Sequence, residues 1–360
     1  TDVFSPQAPN FTGFPRYAVP NSQNNPNLRP EFTTELEFGL DGRFFSNRLG
    51  VDVAYFSRST IDQIFNVPSS SATGYTSRLL NAGEMRNSGV ELTINATAIQ
   101  TKDFTWNIGF NWSKLNNEVV SLADDVESIN LGGTWAADLR VQKGVKYMAL
   151  FGQNYIFDDN GNKVVGENGA YLFTSDREYL GSALADFVGG FNTSVTYKNF
   201  NFGALLDYQF GGIMHSTSLQ WSKYSGMNPE TVNYNGQTGI RENGMILEGV
   251  KEDGSVNDTP IDPQTYYQTY WRRAAPNIYS TDFIKLRELS LSYTLPNKFL
   301  QGMGIRDLRF GLSGRNLAIL FSDVPFIDPQ VSAGAGNRQG LENAQVPPTS
   351  SLGFNISFKL

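Results

Sequence analysis

The chain contains no cysteine, which removes disulfide frameworks, Cys-ligated zinc, iron–sulfur clusters and thiol nucleophiles together. Its single histidine, His215, sits in Gly211-Gly212-Ile213-Met214-His215-Ser216 and reads as a solvated loop residue, without the partners a His metal site needs. Charge is scarce as well. Only 18% of the 360 residues are charged, and 28 basic against 35 acidic side chains leave a formal −7. Phosphate neutralisation needs a positive surface, so this balance argues against a nucleic-acid partner. No run of about 18 apolar residues offers a membrane helix, and no signal peptide stands at Thr1. An envelope protein with this sequence is therefore expected to begin upstream of Thr1 or to have been processed.

Aromatic residues are abundant, with 26 Phe and 16 Tyr, and Gly contributes 35 positions, a mixture that favours strands and turns. Period-2 alternation recurs from end to end, with no long 3.6-residue stripe. Leu36, Phe38 and Leu40 alternate with Glu35, Glu37, Gly39 and Asp41, and Val51, Val53 and Tyr55 with Gly50, Asp52 and Ala54. The same plan returns in Val90–Ala96, Phe104–Trp112, Phe191–Tyr197, Phe200–Phe210, Leu289–Leu295, Leu308–Leu312 and Leu352–Leu360. The fold class expected is all-β.

Alternation alone does not separate a membrane barrel from a soluble sandwich. The connections do. Short turns (46–48, 99–103, 198–199, 296–304) alternate with long polar segments (about 66–86, 119–144, 211–281 and 322–350), as in a barrel with one periplasmic and one outer rim. Several strands also reach the roughly 9 to 11 residues needed to cross a bilayer at a tilt. Strand parity calls for one extra crossing between Asp158 and Asp186, with Val164–Phe173 as the candidate, and counting it brings the tally to about 11 strands.

Three groups of residues carry a family pattern: Asn25-Pro26-Asn27-Leu28-Arg29-Pro30-Glu31; Asn81-Ala82-Gly83-Glu84 leading to Asn87-Ser88-Gly89-Val90-Glu91-Leu92; and Phe283-Ile284-Lys285-Leu286-Arg287-Glu288-Leu289-Ser290-Leu291-Ser292-Tyr293-Thr294-Leu295-Pro296. Gly314-Arg315-Asn316-Leu317 and Asp328-Pro329 extend it. In this order they resemble the C-terminal half of the SusC/RagA-like TonB-dependent outer-membrane transporters, over nearly all of residues 1–360. The segment Asp158–Arg177 departs from that family, which often carries a Gly-Asp and an Asp-Gly-Asp run there. Asp158-Asp159-Asn160-Gly161-Asn162 offers oxygen ligands, but Gly161 comes too early for an EF-hand loop and a surface turn is expected.

The resemblance implies an antiparallel transmembrane β-barrel of roughly 22 strands, of which this chain supplies about 11. The signal peptide, the N-terminal plug and the first barrel strands lie outside it. The physics agrees, because an open half-sheet leaves on the order of ten unpaired backbone groups, each costing several kcal/mol in lipid. That sum, roughly tens of kcal/mol, exceeds the ~5 to 15 kcal/mol by which whole proteins are stable. The chain is expected to close against the missing N-terminal half of the same transporter or another chain.

The resemblance further implies import of an oligosaccharide or peptide in the outer membrane of a Gram-negative bacterium. TonB would act through the plug, and a SusD-like lipoprotein would lie over the outer mouth as a lid. No cofactor, metal or catalytic residue is expected. Trp135, Trp221, Tyr266, Tyr267, Tyr270 and Trp271 in the long loops suit substrate stacking, loop packing or lid contact, and Arg272 and Arg273 beside Trp271 favour a protein interface. Trp106, Trp112 and Tyr293 read as girdle residues at the lipid boundary. Phe354, Ile356, Phe358 and Leu360 alternate to the chain end, as expected of a strand offered to the barrel-assembly machinery and then to outer-membrane lipids.

Two other classes share parts of this pattern. A passive porin would have the strands and loops without a plug. A soluble β-rich glycan-binding module or glycosidase would need acidic pairs such as Asp124-Asp125 or Asp158-Asp159 to converge, and nothing in the sequence forces that.

Overall fold

The structure, a computed structural model, describes residues 5–7, 16–124, 126–334 and 336–360. Nine long strands dominate it: β1 (Phe32–Phe44), β2 (Leu49–Ile61), β3 (Gly83–Gln100), β4 (Phe104–Leu122), β5 (Phe187–Tyr197), β6 (Phe200–Phe210), β7 (Phe283–Thr294), β8 (Arg306–Ser322) and β9 (Ser351–Lys359). They form one antiparallel sheet in which every strand pairs with its neighbours in the chain, a pure meander from β1 to β9. Local connection explains the order. The turn before β2 holds Phe45, Ser46 and Asn47 at positive φ, and Lys198 does the same in the tight turn between β5 and β6, reversing the chain within a few residues.

The short turns all lie at one end of the sheet and the long connections at the other, so the loop sorting read from the sequence holds. The strand count does not. The described residues supply nine long strands rather than about 11, and Val164–Phe173 is not a crossing. Val164–Val165 pairs in parallel with Val250–Lys251 inside the loop layer, and Tyr171 and Phe173 bridge to Val165 and Tyr155. Parity needs no extra strand, because β4 leads into the long connection and β5 leads out of it.

Register carries the alternation across the whole sheet. One row runs Leu40, Val53, Leu92, Trp112, Gly189, Tyr208, Ile284, Phe321, and the next runs Val51, Ile94, Phe110, Phe191, Leu206, Leu286, Ala318. A one-residue slip anywhere would throw a whole strand's apolar set to the other face. These side chains stay exposed: Leu36, Phe38, Leu40, Tyr55, Phe202, Leu291, Leu312 and Phe354 all lie open on the outer face, a contiguous apolar band far larger than scattered surface residues make.

Aromatic rows border the band. Phe104, Tyr197, Phe200, Tyr293 and Phe310 stand in register at the short-turn end, with the Phe200 and Tyr293 rings 4.6 Å apart. Phe187, Tyr208, Phe210 and Phe321 gather near the other end, where Phe187 and Phe210 are 5.3 Å apart. About ten residues at roughly 3.3 Å separate the two rows, and a tilt of about 40° reduces that to about 25 Å, the height of a lipid-facing band. Trp112 lies in the upper group at 6.3 Å from Phe187, and Trp106 donates its indole N–H to Thr193 Oγ1 at 2.8 Å.

At Gly189 the Tyr208 ring lies flat over the backbone where a Cβ would stand, and its hydroxyl donates to the Asn111 carbonyl at 3.3 Å. A large residue facing a glycine lets the sheet bend there without leaving a gap. The opposite face carries Glu37, Asp52, Glu91, Thr93, Asn111, Asn192 and Ser290, and is mostly polar, with Phe56 and Leu205 as apolar exceptions. Among the described residues β1 and β9 each have one unpaired edge, and the barrel is not closed.

The packed core lies outside the sheet. Three clusters of buried apolar residues form almost wholly from the long connections: one around Tyr171, Met245 and Tyr266, one around Leu139, Leu150 and Ala274, and one around Val67, Val119 and Ile129. The connections are therefore one folded layer rather than independent loops.

Phe354→Arg places a charge on the outer face and is expected to cost up to about 2 to 4 kcal/mol and to lower the level of assembled protein in the membrane. Asn355→Asp, one residue on and facing inward, should leave that level unchanged in a heat-modifiability gel.

Candidate functional site

The loop layer roofs the polar face of the sheet. Between them lies a concavity of about 1190 Å³, walled by Glu35, Glu37, Arg58 and Glu91 from β1 to β3 and covered by residues 183–188 and 329–332. Arg58 forks onto Glu35 with N···O distances of 2.8 to 3.1 Å, and Lys146 of the layer pairs with Asp186. Glu37 and Glu91 have no cationic partner among the described residues. The charged residues of the wall are mainly acidic, Glu35, Glu37 and Glu91 against Arg58, and stand among apolar side chains such as Phe56, Leu115 and Val331; a chamber of this size and charge suits a neutral or cationic oligomer rather than a polyanion.

One polar network ties the roof to the wall. Lys285 on β7 is 3% exposed, and its Nζ donates to Asp328 Oδ1 at 2.5 Å and to Gln330 Oε1 at 2.9 Å. Arg287 is the extra residue where both of β7's ladders skip, between Leu286 and Glu288, and this bulge frees its side chain. Its guanidinium reaches Asp207 Oδ2 on β6 at 2.6 Å, Asn316 Oδ1 on β8 at 3.0 Å, and the Gln330 amide oxygen. Lys285, Arg287, Asn316 and Asp328 come from three separate segments that the sequence singled out without a reason for any of them. They are one device, which pins the connection between β8 and β9 to the inner wall.

Just before Asp328 the chain makes a tight turn in which the Ile327 amide donates to the Pro325 carbonyl at 2.8 Å and Phe326 takes φ +63°. A bulky residue is strained there by about 1 to 3 kcal/mol. The Lys285–Asp328 pair on one side and β8 on the other hold it.

A second tie joins the same connection to the helix Thr217–Tyr224. Glu342 accepts from Ser216 Oγ at 2.6 Å, from the Ser218 amide at 3.0 Å and from Ser218 Oγ at 2.5 Å, at the helix N-terminus where a carboxylate is favoured. Burial opposes its charge, but these donors hold its carboxyl below the usual range. His215, in the short strand beside it, is fully buried rather than solvated, which corrects the sequence reading. Its Nε2 has no hydrogen-bond partner among the described residues, and burial lowers its pKa to about 4 despite Glu342 nearby. The hydrophobic neighbours Met214 and Leu219 gave no hint of this, because burial here depends on a partner strand 126 residues away.

The loop aromatics divide into two groups. Tyr266 and Tyr267 are buried, and with Tyr155, Tyr171 and Tyr234 they make the core of the layer; Tyr270 packs on its flank, its ring 5.7 Å from Phe173. Tyr266 and Tyr267 serve as packing residues of the layer, and Tyr270 is half-buried at its edge. Trp135, Trp221 and Trp271 gather elsewhere, with ring centroids 5.0 to 6.0 Å apart, and Tyr224 joins them at 5.2 Å from Trp221. Asp158 spends its carboxylate on its own turn, accepting from the Asn160 and Asn162 amides at 3.0 and 2.7 Å. Asp125, half of the other acidic pair, lies outside the described residues. Among the described residues no group of three His, Cys, Asp or Glu could hold a metal.

Two expectations follow. Lys285→Met leaves Asp328 buried without its cation, at a cost of about 3 to 5 kcal/mol; Lys285→Met with Asp328→Leu recovers most of it. Protease cleavage within 323–350 should rise in the single variant and fall again in the double. The buried neutral His215 binds its proton more readily in the unfolded layer, so stability is full above pH 6.5 and declines as pH falls from about 6.5 to about 4, by roughly 3 kcal/mol. Loop proteolysis at pH 5 against pH 7.5 measures this, and His215→Leu should flatten the difference.

A family model described as "TonB dependent receptor-like, beta-barrel" matches residues 3–211. TonB-dependent receptor P3 of Formosa agariphila is 28% identical over 93% of this chain and 35% of its own length. TonB-dependent receptor SusC of Bacteroides thetaiotaomicron is 30% identical over 49% of this chain and 19% of its own. The solved structure of the RagAB peptide transporter superposes with a TM-score of 0.73 at 21% identity, covering 99% of this chain and 38% of that one. The chain spans about a third of the length of the curated relatives it matches most fully. An all-β meander with an exposed apolar band and a family match over more than half its residues admits one assignment: the chain belongs to the TonB-dependent receptor-like β-barrel family.

Proposed function

We propose that this chain is the C-terminal barrel portion of an energised outer-membrane importer in a Gram-negative bacterium. The observation that carries the reading is the apolar band that crosses all nine strands in register, exposed and bordered by aromatic rows, in a chain of the TonB-dependent receptor-like family. Such a face is stable only against lipid, and the open edges of β1 and β9 need further strands to close on. Those strands belong to the N-terminal half of the same transporter, and about 22 strands complete a plugged barrel.

The cargo is an oligosaccharide or a peptide. TonB supplies energy through the plug, because the outer membrane has no ATP, and a SusD-like lipoprotein covers the outer mouth over the folded loop layer. The chain is a transporter part and not an enzyme. Its last strand, with Phe354, Ile356, Phe358 and Leu360 outward, engages the barrel-assembly machinery before it pairs with its final neighbour. The neutral-to-acidic wall of the chamber favours uncharged or basic cargo.

The test is uptake of fluorescent maltoheptaose and of a fluorescent basic heptapeptide by cells that carry the full-length transporter. One of the two should accumulate, and dissipating the proton gradient with an uncoupler should abolish the accumulation. Uptake that survives the uncoupler would indicate a passive pore, and a water-soluble monomer obtained without detergent would indicate a soluble binding module.

A further inference from the structure

Each short turn of the sheet carries a cation: Arg48 between β1 and β2, Lys102 between β3 and β4, Lys198 between β5 and β6, and Lys298 between β7 and β8. The chain as a whole is acidic, at −7, so this excess belongs to one rim rather than to the surface at large. Successive hairpins stand two strands apart, and at roughly 4.8 Å per strand the cations recur about every 10 Å. Arg48 spends its guanidinium on the Thr97 and Ala98 carbonyls at 3.0 to 3.2 Å. Lys102, Lys198 and Lys298 are exposed and form no ion pair among the described residues. Of the acids nearby, Asp307 is already held by Lys359 at 2.8 Å, and Asp103 beside Lys102 leaves the rim with a positive balance.

Two of these amines stand against aromatic rings at the edge of the apolar band. Lys198 Nζ lies 5.4 Å from the centre of the Tyr197 ring, a member of the aromatic row at the short-turn end, and Lys298 Nζ lies 5.0 Å from that of the exposed Phe299. A lysine placed so keeps its stem on apolar surface and its charge at headgroup level. Lys198 also holds φ +52°, where glycine or asparagine sits more easily, so the backbone gains nothing from a lysine there. The turns are braced to one another: the Lys198 amide donates to the Asp103 carbonyl and the Asn199 side-chain amide to the Thr294 carbonyl, both at 2.7 Å. The cations are thus presented at a fixed spacing. Further strands add only at the open edges of β1 and β9, and anything inside a closed barrel meets the inner face. Tyr197, on the outer face in the middle of the sheet, stays open to lipid in either case.

We propose that Lys102, Lys198 and Lys298 form a collar that binds the phosphodiester headgroups of anionic phospholipids in the leaflet at the short-turn end. This rests on the reading that the outer face meets lipid, and adds which lipid its rim selects. The collar continues the apolar band directly, so one lipid can lay its chains on the band and its phosphate on a lysine. The attraction acts between exposed charges and therefore falls with salt.

The experiment places the full-length transporter in phosphatidylcholine bilayers with a trace of spin-labelled phosphatidylglycerol or spin-labelled phosphatidylcholine. Electron spin resonance then reads the share of each lipid held at the protein surface. Phosphatidylglycerol should be favoured about threefold at about 50 mM NaCl and hardly at all at about 1 M. The triple variant Lys102→Gln, Lys198→Gln, Lys298→Gln should bring the ratio at low salt to about one, while Lys251→Gln in the loop layer should leave it as in the wild type. Heat modifiability reports the folding of each variant separately. Equal retention of the two lipids by the wild type, or a preference that the triple variant keeps, would overturn the collar and leave the barrel intact. A wild-type transporter that holds neither lipid at its surface would overturn the lipid-facing reading itself and the collar with it.

Discussion

A strand that crosses lipid has to pair every backbone amide within the protein, since hydrocarbon offers no partner. That constraint organises the whole chain. It explains why nine strands follow one another as a meander whose rows connect Leu40 to Phe321, with the bulge at Arg287 re-aiming one side chain. It also explains why the buried core had to form elsewhere. A sheet with an apolar outer face open to lipid and a solvated inner face has few side chains to bury, so most of the apolar packing appears in the connections, around Tyr266, Leu139 and Ile129.

The connections in turn depend on the wall. Lys285 and Arg287 project inward from β7, and through Asp328 and Gln330 they fasten the final connection; Glu342 of that same connection caps the helix that carries Trp221. Wall, final connection, helix and exposed tryptophans thus form a single chain of contacts, in which the strain at Phe326 is absorbed because both of its flanks are fixed. A layer built this way presents one shaped surface to the outside rather than four mobile loops, and it keeps the chamber beneath it open.

Alternation such as Phe104-Thr105-Trp106-Asn107-Ile108 is a direct record of a two-sided sheet, which is why the strands and the sorting of their connections were legible from residue order. Long connections are not periodic. A parity argument puts a strand at Val164–Phe173, but Val165, Ala170 and Tyr171 of that segment pack against Met245 and Tyr266, and only the fold shows it. The burial of His215 is hidden for the same reason, since it depends on Leu341, a partner 126 residues away. The motif residues Lys285, Arg287, Asn316 and Asp328 could be recognised as a family pattern, yet their joint purpose is a matter of distance in space, which no spacing along the chain encodes.

The most direct test of the membrane-barrel claim exploits the absence of cysteine from these 360 residues, any cysteine elsewhere in the full-length transporter being replaced by serine first. Single cysteines placed in turn from Phe200 to Phe210 in the full-length transporter can each carry a nitroxide, and its collision rates with oxygen and with a water-soluble nickel complex can be measured in bilayers. A barrel strand predicts strict alternation, with Phe200, Phe202, Ala204 and Leu206 accessible to oxygen and shielded from nickel, and Asn201, Gly203 and Leu205 shielded from oxygen. Nickel accessibility at Phe202 and Ala204 equal to that of an exposed loop would contradict it.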